Sequence, residues 1–161
     1  MQKVLVVGCP GSGKSTFARA LHDATELPLY YLDMLFWNSD KTTVERDVFL
    51  ERLNSVLQKP RWIIDGNYAS TMEKRIVACD TVFFLDYTTE ICLDGLAKRC
   101  GIPRPDMPWI EYELDEEFIE FVKNYNTTSR PFVVELLNKY KSKNIIVFHN
   151  RKEADEYLKS I

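Results

Sequence analysis

The sequence predicts an α/β fold in which a parallel β-sheet is covered by helices on both faces. Five short apolar runs have the length and composition of buried strands: 3–8, 27–32, 61–66, 81–86 and 143–149. A helix is expected between the first two, over about 14–23. Between the second and third, Phe49, Leu53 and Leu57 recur at helical spacing. Strands that alternate with helices are typical of β-α-β units, whose strands run parallel.

Composition fits an ordinary globular protein. The 161 residues are enough for one domain with a sizeable core, so we expect a single domain over 1–161. Hydrophobic residues make up 45% and charged residues 28% of the chain, and the net charge is -3. No long basic run occurs. Because nucleic-acid affinity rests largely on neutralising phosphates, this composition argues against a nucleic-acid partner.

Cysteine usage and hydropathy bear on location. The four cysteines form no Cys-x-x-Cys pair, which argues against a zinc knuckle or a thioredoxin-type motif. Scattered thiols are typical of a reducing cytosol, so a cytoplasmic protein is expected. No segment approaches the ~20 apolar residues that span a bilayer, so no membrane partner is expected. A monomer or a weak homodimer is expected.

The string GCPGSGKS, residues 8–15, matches G-x-x-x-x-G-K-[ST] and lies between an apolar strand and a helix. Its glycines allow the backbone N–H groups to wrap around phosphates, and the helix N-terminus adds partial positive charge. Lys14 is placed to reach the β- and γ-phosphates, and the Ser15 hydroxyl to bind Mg²⁺. ATP and Mg²⁺ are therefore the expected cofactors. The expected nucleotide-binding residues are Gly8, Pro10, Gly11, Ser12, Gly13, Lys14, Ser15 and Thr16.

Asp86 ends the apolar run 81–86. Behind a phosphate-binding loop, this position predicts a second acid near Mg²⁺, although many buried strands end in aspartate.

More than fifty residues separate Asp86 from the last predicted strand, far more than a simple crossover needs, so a lid insertion is expected over about 99–128. Phosphoryl transfer requires cations around the transferring group and the exclusion of water. Arg99, Arg104 and Arg130 lie in or beside the insertion and are the candidate catalytic cations. The alternative is that they are surface arginines.

A helical stripe follows the proline-rich string 100–108 and opens with three acids, Asp115, Glu116 and Glu117. Acids in a first helical turn complement the helix dipole, which favours capping. Metal binding is the alternative.

Together these motifs resemble bacterial adenylate kinase-related proteins of the DNA topology modulation (FlaR-like) family, within the nucleoside monophosphate kinase-like group of P-loop proteins. The matching strings are GCPGSGKST (8–16), YLDMLFW (31–37), WIIDGNY (62–68), DTVFFLD (80–86), RPD (104–106), SRP (129–131) and HNRKE (149–153). The resemblance runs nearly end to end. It implies a three-layer P-loop NTPase fold with strand order 2-3-1-4-5, and a lid between strands four and five that carries Arg99 and Arg104. It also implies that Asn150 and Arg151 lie against adenine.

The resemblance places the acceptor site over the carboxyl ends of strands two and three, which brings in Asp65, Gly66 and Asn67. Adenylate kinases carry Gly-Phe/Tyr-Pro-Arg after strand three, and that arginine helps to hold the acceptor phosphate. This chain has DGNY there. Arg75 and Arg46 are the candidate substitutes.

Asp33 is the one acid within the strongly hydrophobic string YYLDMLFW, residues 30–37. Ligands of parallel sheets collect at the carboxyl ends of strands, and this acid follows the second predicted strand. Phe36 and Trp37 are expected to wall an acceptor pocket around it. Asp33 is then a base for an acceptor hydroxyl or a holder of water on Mg²⁺; the alternative is a turn cap.

Two functions follow from the sequence. The first is an ATP- and Mg²⁺-dependent phosphotransferase acting on a small acceptor such as a nucleotide, a nucleoside or a related metabolite. The alternative is a nucleotide-dependent regulatory or DNA-associated protein with weak ATPase activity.

Overall fold

The computed structural model describes residues 1–161 and has the predicted fold class, a five-stranded parallel sheet with helices on both faces. The strand order is β2-β3-β1-β4-β5, as expected. Each strand lies within the apolar run that predicts it: β1 Lys3–Gly8, β2 Leu29–Tyr31, β3 Trp62–Asp65, β4 Thr81–Leu85 and β5 Asn144–Phe148.

Eight helices connect or follow the strands: α1 Lys14–Thr25, α2 Leu32–Phe36, α3 Arg46–Leu57, α4 Ala69–Ala78, α5 Thr89–Arg99, α6 Glu116–Thr128, α7 Arg130–Lys139 and α8 Arg151–Ser160. The sequence does not predict α2, because its five residues are too few to display a helical period. None of the eight combines the length and the apolar character needed to cross a bilayer.

The sheet divides the core into two layers. Alternate residues of a strand face opposite sides, so Val4 and Val6 pack in one hydrophobic cluster while Leu5 and Val7 pack in the other. All four are at most 1% exposed. A central strand that is buried on both faces reads as a continuous apolar run, which is why β1 is evident in the sequence.

Parallel pairing brings the carboxyl ends of the central strands to one edge of the sheet. In β1, Val6 lies opposite Asp65 of β3, and Gly8 lies opposite Leu85 of β4. The loop from Gly8 to Lys14 therefore starts between the ends of β3 and β4. Residues that follow these two strands are the ones placed to meet a ligand of the loop.

Residues 100–115, between α5 and α6, form neither helix nor strand. The Gly101 N–H donates to the Glu111 carbonyl oxygen at 2.6 Å and closes this segment on itself. Asp115 then caps α6, its carboxylate accepting from the Glu117 N–H at 3.1 Å. This confirms capping as the role of the first acid in the group. The assignment of about 99–128 as a lid stays a prediction.

Candidate active site

The loop between β1 and α1 is tightly wrapped. Gly11 and Gly13 have φ angles of 85° and 91°, in the left-handed region that favours glycine. A Cβ atom on Gly11 would overlap the carbonyl group of Cys92 on α5. No side chain caps α1, so the first N–H groups of that helix are free to bind an anion.

Arg151 is hydrogen-bonded to this loop. Its guanidinium donates to the carbonyl oxygens of Ser12 and Gly11 at 3.1 and 3.4 Å and lies 5.8 Å from the ring centre of Tyr87. Asn150 caps α8, its side-chain oxygen accepting from the Glu153 N–H at 3.0 Å. Contact of these two residues with adenine stays a prediction. The observed contacts of Arg151 hold two carbonyl groups of the phosphate loop.

A small cavity of about 370 Å³ opens over the loop. One buried acid, Asp106, lines it together with Ser15 and Thr16. Six cationic side chains line it as well: Lys14, Arg19, Lys98, Arg99, Arg104 and Arg151. This excess of positive charge beside unpartnered N–H groups fits a polyphosphate.

Arg99 and Arg104 line this cavity, and each lies close to a carboxylate. Arg104 lies 3.4 Å from Asp106 and 3.4 Å from Glu111, and Arg99 lies 3.6 Å from Glu111. Burial lowers the pKa of Arg99 below its ordinary value. The structure thus brings both predicted arginines to the phosphate-loop cavity. Asp106 belongs to the RPD string of the resemblance, but the sequence assigns no role to it or to Glu111, because segment 100–115 has no periodicity that would place them.

The acid that contacts Ser15 lies on β3. Its hydroxyl donates to Oδ2 of Asp65 at 2.5 Å. Asp65 is 5% exposed, and its Oδ1 is buried without a hydrogen-bond partner. Burial raises the pKa of this carboxyl group to about 6. A buried oxygen without a partner next to the phosphate-loop hydroxyl fits a hard divalent cation.

This geometry favours Asp65 over Asp86 as the acid near Mg²⁺. Both Asp86 oxygens accept hydrogen bonds from Arg130, each at 2.8 Å. Asp86 and Arg130 line neither cavity. Arg130 was expected to be a catalytic cation, and it is instead committed to the end of β4, where it tethers α7. The strand with the acid that meets Ser15 is β3.

A larger cavity of about 880 Å³ adjoins the small one and shares Lys14, Ser15, Arg99 and Asp106 with it. Asp33, half-buried in α2, lines its floor. The Tyr68 hydroxyl donates to Asp33 Oδ1 at 2.5 Å. Burial raises the pKa of Asp33, while this hydrogen bond and the charge of Lys14 oppose the rise. The α2 helix has no side-chain cap, so the turn-cap interpretation of Asp33 is wrong.

Aromatic side chains wall the larger cavity. Trp37 meets Trp109 edge to face, with ring centres 5.3 Å apart, and Tyr68 belongs to the same lining. Phe36 was expected beside Trp37, but it is not in the lining. It packs behind the wall against Phe49 and Tyr68. Trp109 and Tyr68 are wall residues that the sequence analysis does not single out.

The predicted residues after β3 divide into two groups. Gly66 and Asn67 line the cavity, and the Asn67 side chain bonds both the N–H and the carbonyl of Gly8, at 3.1 and 2.7 Å. Arg75 is not in the cavity. It is 0% exposed, and its guanidinium donates to the backbone carbonyls of Gly66, Asn67 and Tyr68.

Arg46, the other arginine expected to replace the missing adenylate kinase residue, is exposed at the start of α3 and lines neither cavity. The structure therefore brings neither Arg75 nor Arg46 to an acceptor phosphate. Burial lowers the pKa of Arg75 to about 9, which reflects a cation enclosed by protein rather than one that faces a ligand.

Comparisons with known proteins give the fold. No family model matches the chain, and no curated protein matches it. Shikimate kinase from Bacteroides thetaiotaomicron superposes with a TM-score of 0.58 at 17% identity, over 98% of this chain and 94% of that one. Shikimate kinase from Acinetobacter baumannii, solved in complex with shikimate, superposes with a TM-score of 0.65 at 14% identity, over 99% of this chain and 90% of that one. At such low identity the likeness shows a shared fold.

Proposed function

We propose that the protein is a small-molecule kinase that transfers the γ-phosphoryl group of MgATP to a hydroxyl group of an acceptor. The observation that carries this proposal is the pair of adjoining cavities. One is small, cationic and built on the phosphate loop, and the other is large and contains Asp33; Lys14 and Ser15 lie in both. A donor site that opens directly into an acceptor site is what in-line transfer requires.

The residues present fit the nucleotide and its metal. Bound MgATP supplies the phosphoryl group and the charge neutralisation that its transfer needs. The loop N–H groups of Gly11, Gly13 and Lys14, which have no partner within the protein, would bind the phosphates, and Ser15 with Asp65 would hold Mg²⁺. No cluster of three or more acidic, histidine or cysteine ligands occurs, which suits Mg²⁺, since this ion takes one or two protein ligands beside phosphates and water.

Asp33 acts as the base in this proposal. It lies in the acceptor cavity, and its raised pKa brings the carboxylate closer to the proton affinity that general-base catalysis favours. The Tyr68 hydroxyl occupies Oδ1 and leaves Oδ2 to accept the proton of the acceptor hydroxyl. Arg99 and Arg104 stabilise the charge that develops on the transferred group.

The strings shared with the FlaR-like, adenylate kinase-related family support placing the chain in that group, within the same proposal. The four cysteines are unpaired, which supports a reducing, cytoplasmic location. A steep, salt-dependent affinity for DNA would favour the DNA-associated alternative instead.

The test is ADP release measured with MgATP across nucleosides, nucleoside monophosphates and small polyols. An acceptor that stimulates ADP formation is expected for the wild-type protein. Lys14→Ala should abolish this stimulation, lowering turnover by at least about 100-fold, because it removes the cation nearest the β- and γ-phosphates. Lys123→Ala, which changes an exposed lysine outside both cavities, is the matched control. Wild-type turnover in Lys14→Ala would refute the proposal.

A further inference from the structure

The charge of the larger cavity identifies the class of acceptor, given the proposed kinase function. We propose that the acceptor is an uncharged or cationic alcohol with a flat ring, and that it carries neither a phosphate nor a carboxylate group. Acceptors that are already phosphorylated are excluded by the same charge.

Carboxylates outnumber cations in the acceptor cavity. Six acids line it: Asp33, Asp65, Asp106, Glu111, Glu113 and Asp115. Three cations face them, namely Lys14, Lys41 and Arg99. Lys14 belongs to the phosphate loop, and Arg99 lies 3.6 Å from Glu111. Lys41 is thus the one cation of this lining that has neither a carboxylate partner nor a place on the phosphate loop.

The smaller cavity has the opposite balance, with six cations and a single acid. The protein thereby separates a cationic phosphate cavity from an acidic acceptor cavity, and Lys14 lines both. Two like unit charges about 5 Å apart, at an effective dielectric constant of about 20, repel enough to lower affinity by roughly 100-fold. Asp106 and Glu111 are paired with Arg104, so an anionic acceptor would meet this repulsion chiefly from Asp33 and from the carboxylates of Glu113 and Asp115, which form no ion pair.

The one guanidinium group in the lining of the acceptor cavity is that of Arg99, which also lines the phosphate cavity and lies 3.6 Å from Glu111. No second guanidinium group is available to hold an acceptor phosphate. Arg75 follows β3, but all of its side-chain nitrogens donate within the protein, to Thr71 and to three backbone carbonyls. Arg46 and Arg52, on α3, lie outside the cavity. Binding of a phosphate monoester usually relies on arginine forks or on a cluster of N–H groups, and here both belong to the donor side.

The walls favour a flat ring. Five aromatic side chains line the cavity: Trp37, Tyr68, Trp109, and Phe118 and Phe121 of α6. Aromatic faces stack on rings and attract cations. An alcohol whose ring lies between these walls brings its hydroxyl to Asp33.

Matched pairs of acceptors test the proposal. ADP formation is measured for four nucleosides beside their 5′-monophosphates, and for phenylalaninol beside 2-benzyl-3-hydroxypropanoate, the same primary alcohol with a carboxylate in place of the amine. We expect kcat/KM to be about 100-fold higher for the non-anionic member of each pair that reacts. Equal or higher kcat/KM for the anionic members would overturn the acceptor class while leaving the kinase intact. Failure of every acceptor to stimulate ADP formation would instead count against the proposed kinase function.

Binding is measured separately, with Mg²⁺ and a non-hydrolysable ATP analogue present. Trp62 is fully buried, so an acceptor in the cavity changes the fluorescence of Trp37 and Trp109. Tighter binding of the non-anionic members is expected even where turnover is slow. Tighter binding of the anionic members, or no binding by any compound, would overturn the proposal.

Two charge-reversal variants, one in the cavity wall and one outside it, complete the test. Glu113 is exposed, lines the cavity and forms no ion pair or side-chain hydrogen bond, so Glu113→Lys should fold normally. In this variant the ratio of kcat/KM for non-anionic acceptors to kcat/KM for anionic acceptors should fall by about tenfold. Glu120→Lys makes the same charge change at an exposed position of α6 outside the cavity and should leave the preference unchanged. Equal effects of the two variants would contradict the proposal.

Discussion

Tyr68 donates a hydrogen bond of 2.5 Å from its hydroxyl to Oδ1 of Asp33, joining the loop after β3 to helix α2. The backbone of Tyr68 has a φ of 39°, a conformation that costs a non-glycine residue free energy. Arg75 donates to the carbonyls of Gly66, Asn67 and Tyr68 and holds this turn in place. Arg75 is therefore a positioning residue: it fixes the turn that carries Tyr68, and Tyr68 orients Asp33.

The role of Asp33 as a base predicts a large loss of turnover without a loss of nucleotide binding. Asp33→Asn removes the proton acceptor but keeps the shape of the side chain. We expect kcat to fall by about 10²–10⁴-fold while the Kd for MgATP stays within a few-fold of wild type. The measurements are steady-state ADP release and a direct ATP titration. Turnover within a few-fold of wild type would remove Asp33 from the catalytic residues.

Tyr68→Phe is a control for the prediction on Asp33, because it removes the hydroxyl that orients the carboxylate but leaves the carboxylate itself. The variant keeps the ring that packs on Phe36 and Phe49 and deletes the hydroxyl. The loss of the hydrogen bond should raise the pKa of Asp33, since that bond lowers it. The acid limb of the pH–kcat profile should then shift to higher pH. A lower kcat with an unshifted profile would show that Tyr68 acts only through packing.

Asp65 at the end of β3 accepts a hydrogen bond from Ser15, whereas Asp86 after β4 accepts from Arg130. These different partners predict different effects when each aspartate is replaced. Asp65→Asn should raise the Mg²⁺ concentration needed for half-maximal activity by about 10–100-fold. Asp86→Asn should leave this requirement unchanged and cost about 1 kcal/mol of stability, because it weakens an ion pair whose arginine is 40% exposed. Mg²⁺ titrations of activity and urea unfolding of both variants provide the comparison. A reversed pattern would restore Asp86 as the metal residue.

These two aspartates also show where the sequence stops being sufficient. β3 and β4 both flank β1, and an aspartate ends or follows each of them, so local pattern offers two candidates for the metal. The choice depends on the direction in which α1 leaves the loop, and that direction is set by packing between elements distant in sequence. The strands and the phosphate loop are predictable because burial on both faces and glycine spacing are local properties.

Arg75 and Trp109 were unpredictable for the same physical reason. An arginine on a helix reads as a surface or ligand-binding residue, and its burial depends on carbonyls that the turn at 66–68 presents. Trp109 lies in segment 100–115, where no period indicates which side chains turn inward. Its contact with Trp37 joins residues more than seventy positions apart, which no short motif records.

Arg104 should contribute more to the transition state than to nucleotide binding. It lines the phosphate cavity and lies 3.4 Å from both Asp106 and Glu111. Arg104→Ala is expected to lower kcat by about 100-fold with a change of only a few-fold in the Kd for ATP. Arg61→Ala, at an exposed residue outside both cavities, is the matched control. An unchanged kcat with every acceptor would exclude Arg104 from the site.

Asp65 predicts an unusual pH dependence for the stability of the protein without metal. Its pKa rises from 3.8 to about 6 on folding because burial disfavours the charged form. Between these two values the folded state binds more protons than the unfolded state, so this group's contribution to the free energy of unfolding falls as pH rises. A shift of about two units corresponds to about 3 kcal/mol. Urea unfolding in EDTA from pH 3.5 to 7 is compared with Asp65→Asn, which cancels the contributions of all other groups. Wild type should lose about 3 kcal/mol relative to the variant over this range, and parallel curves would contradict the raised pKa.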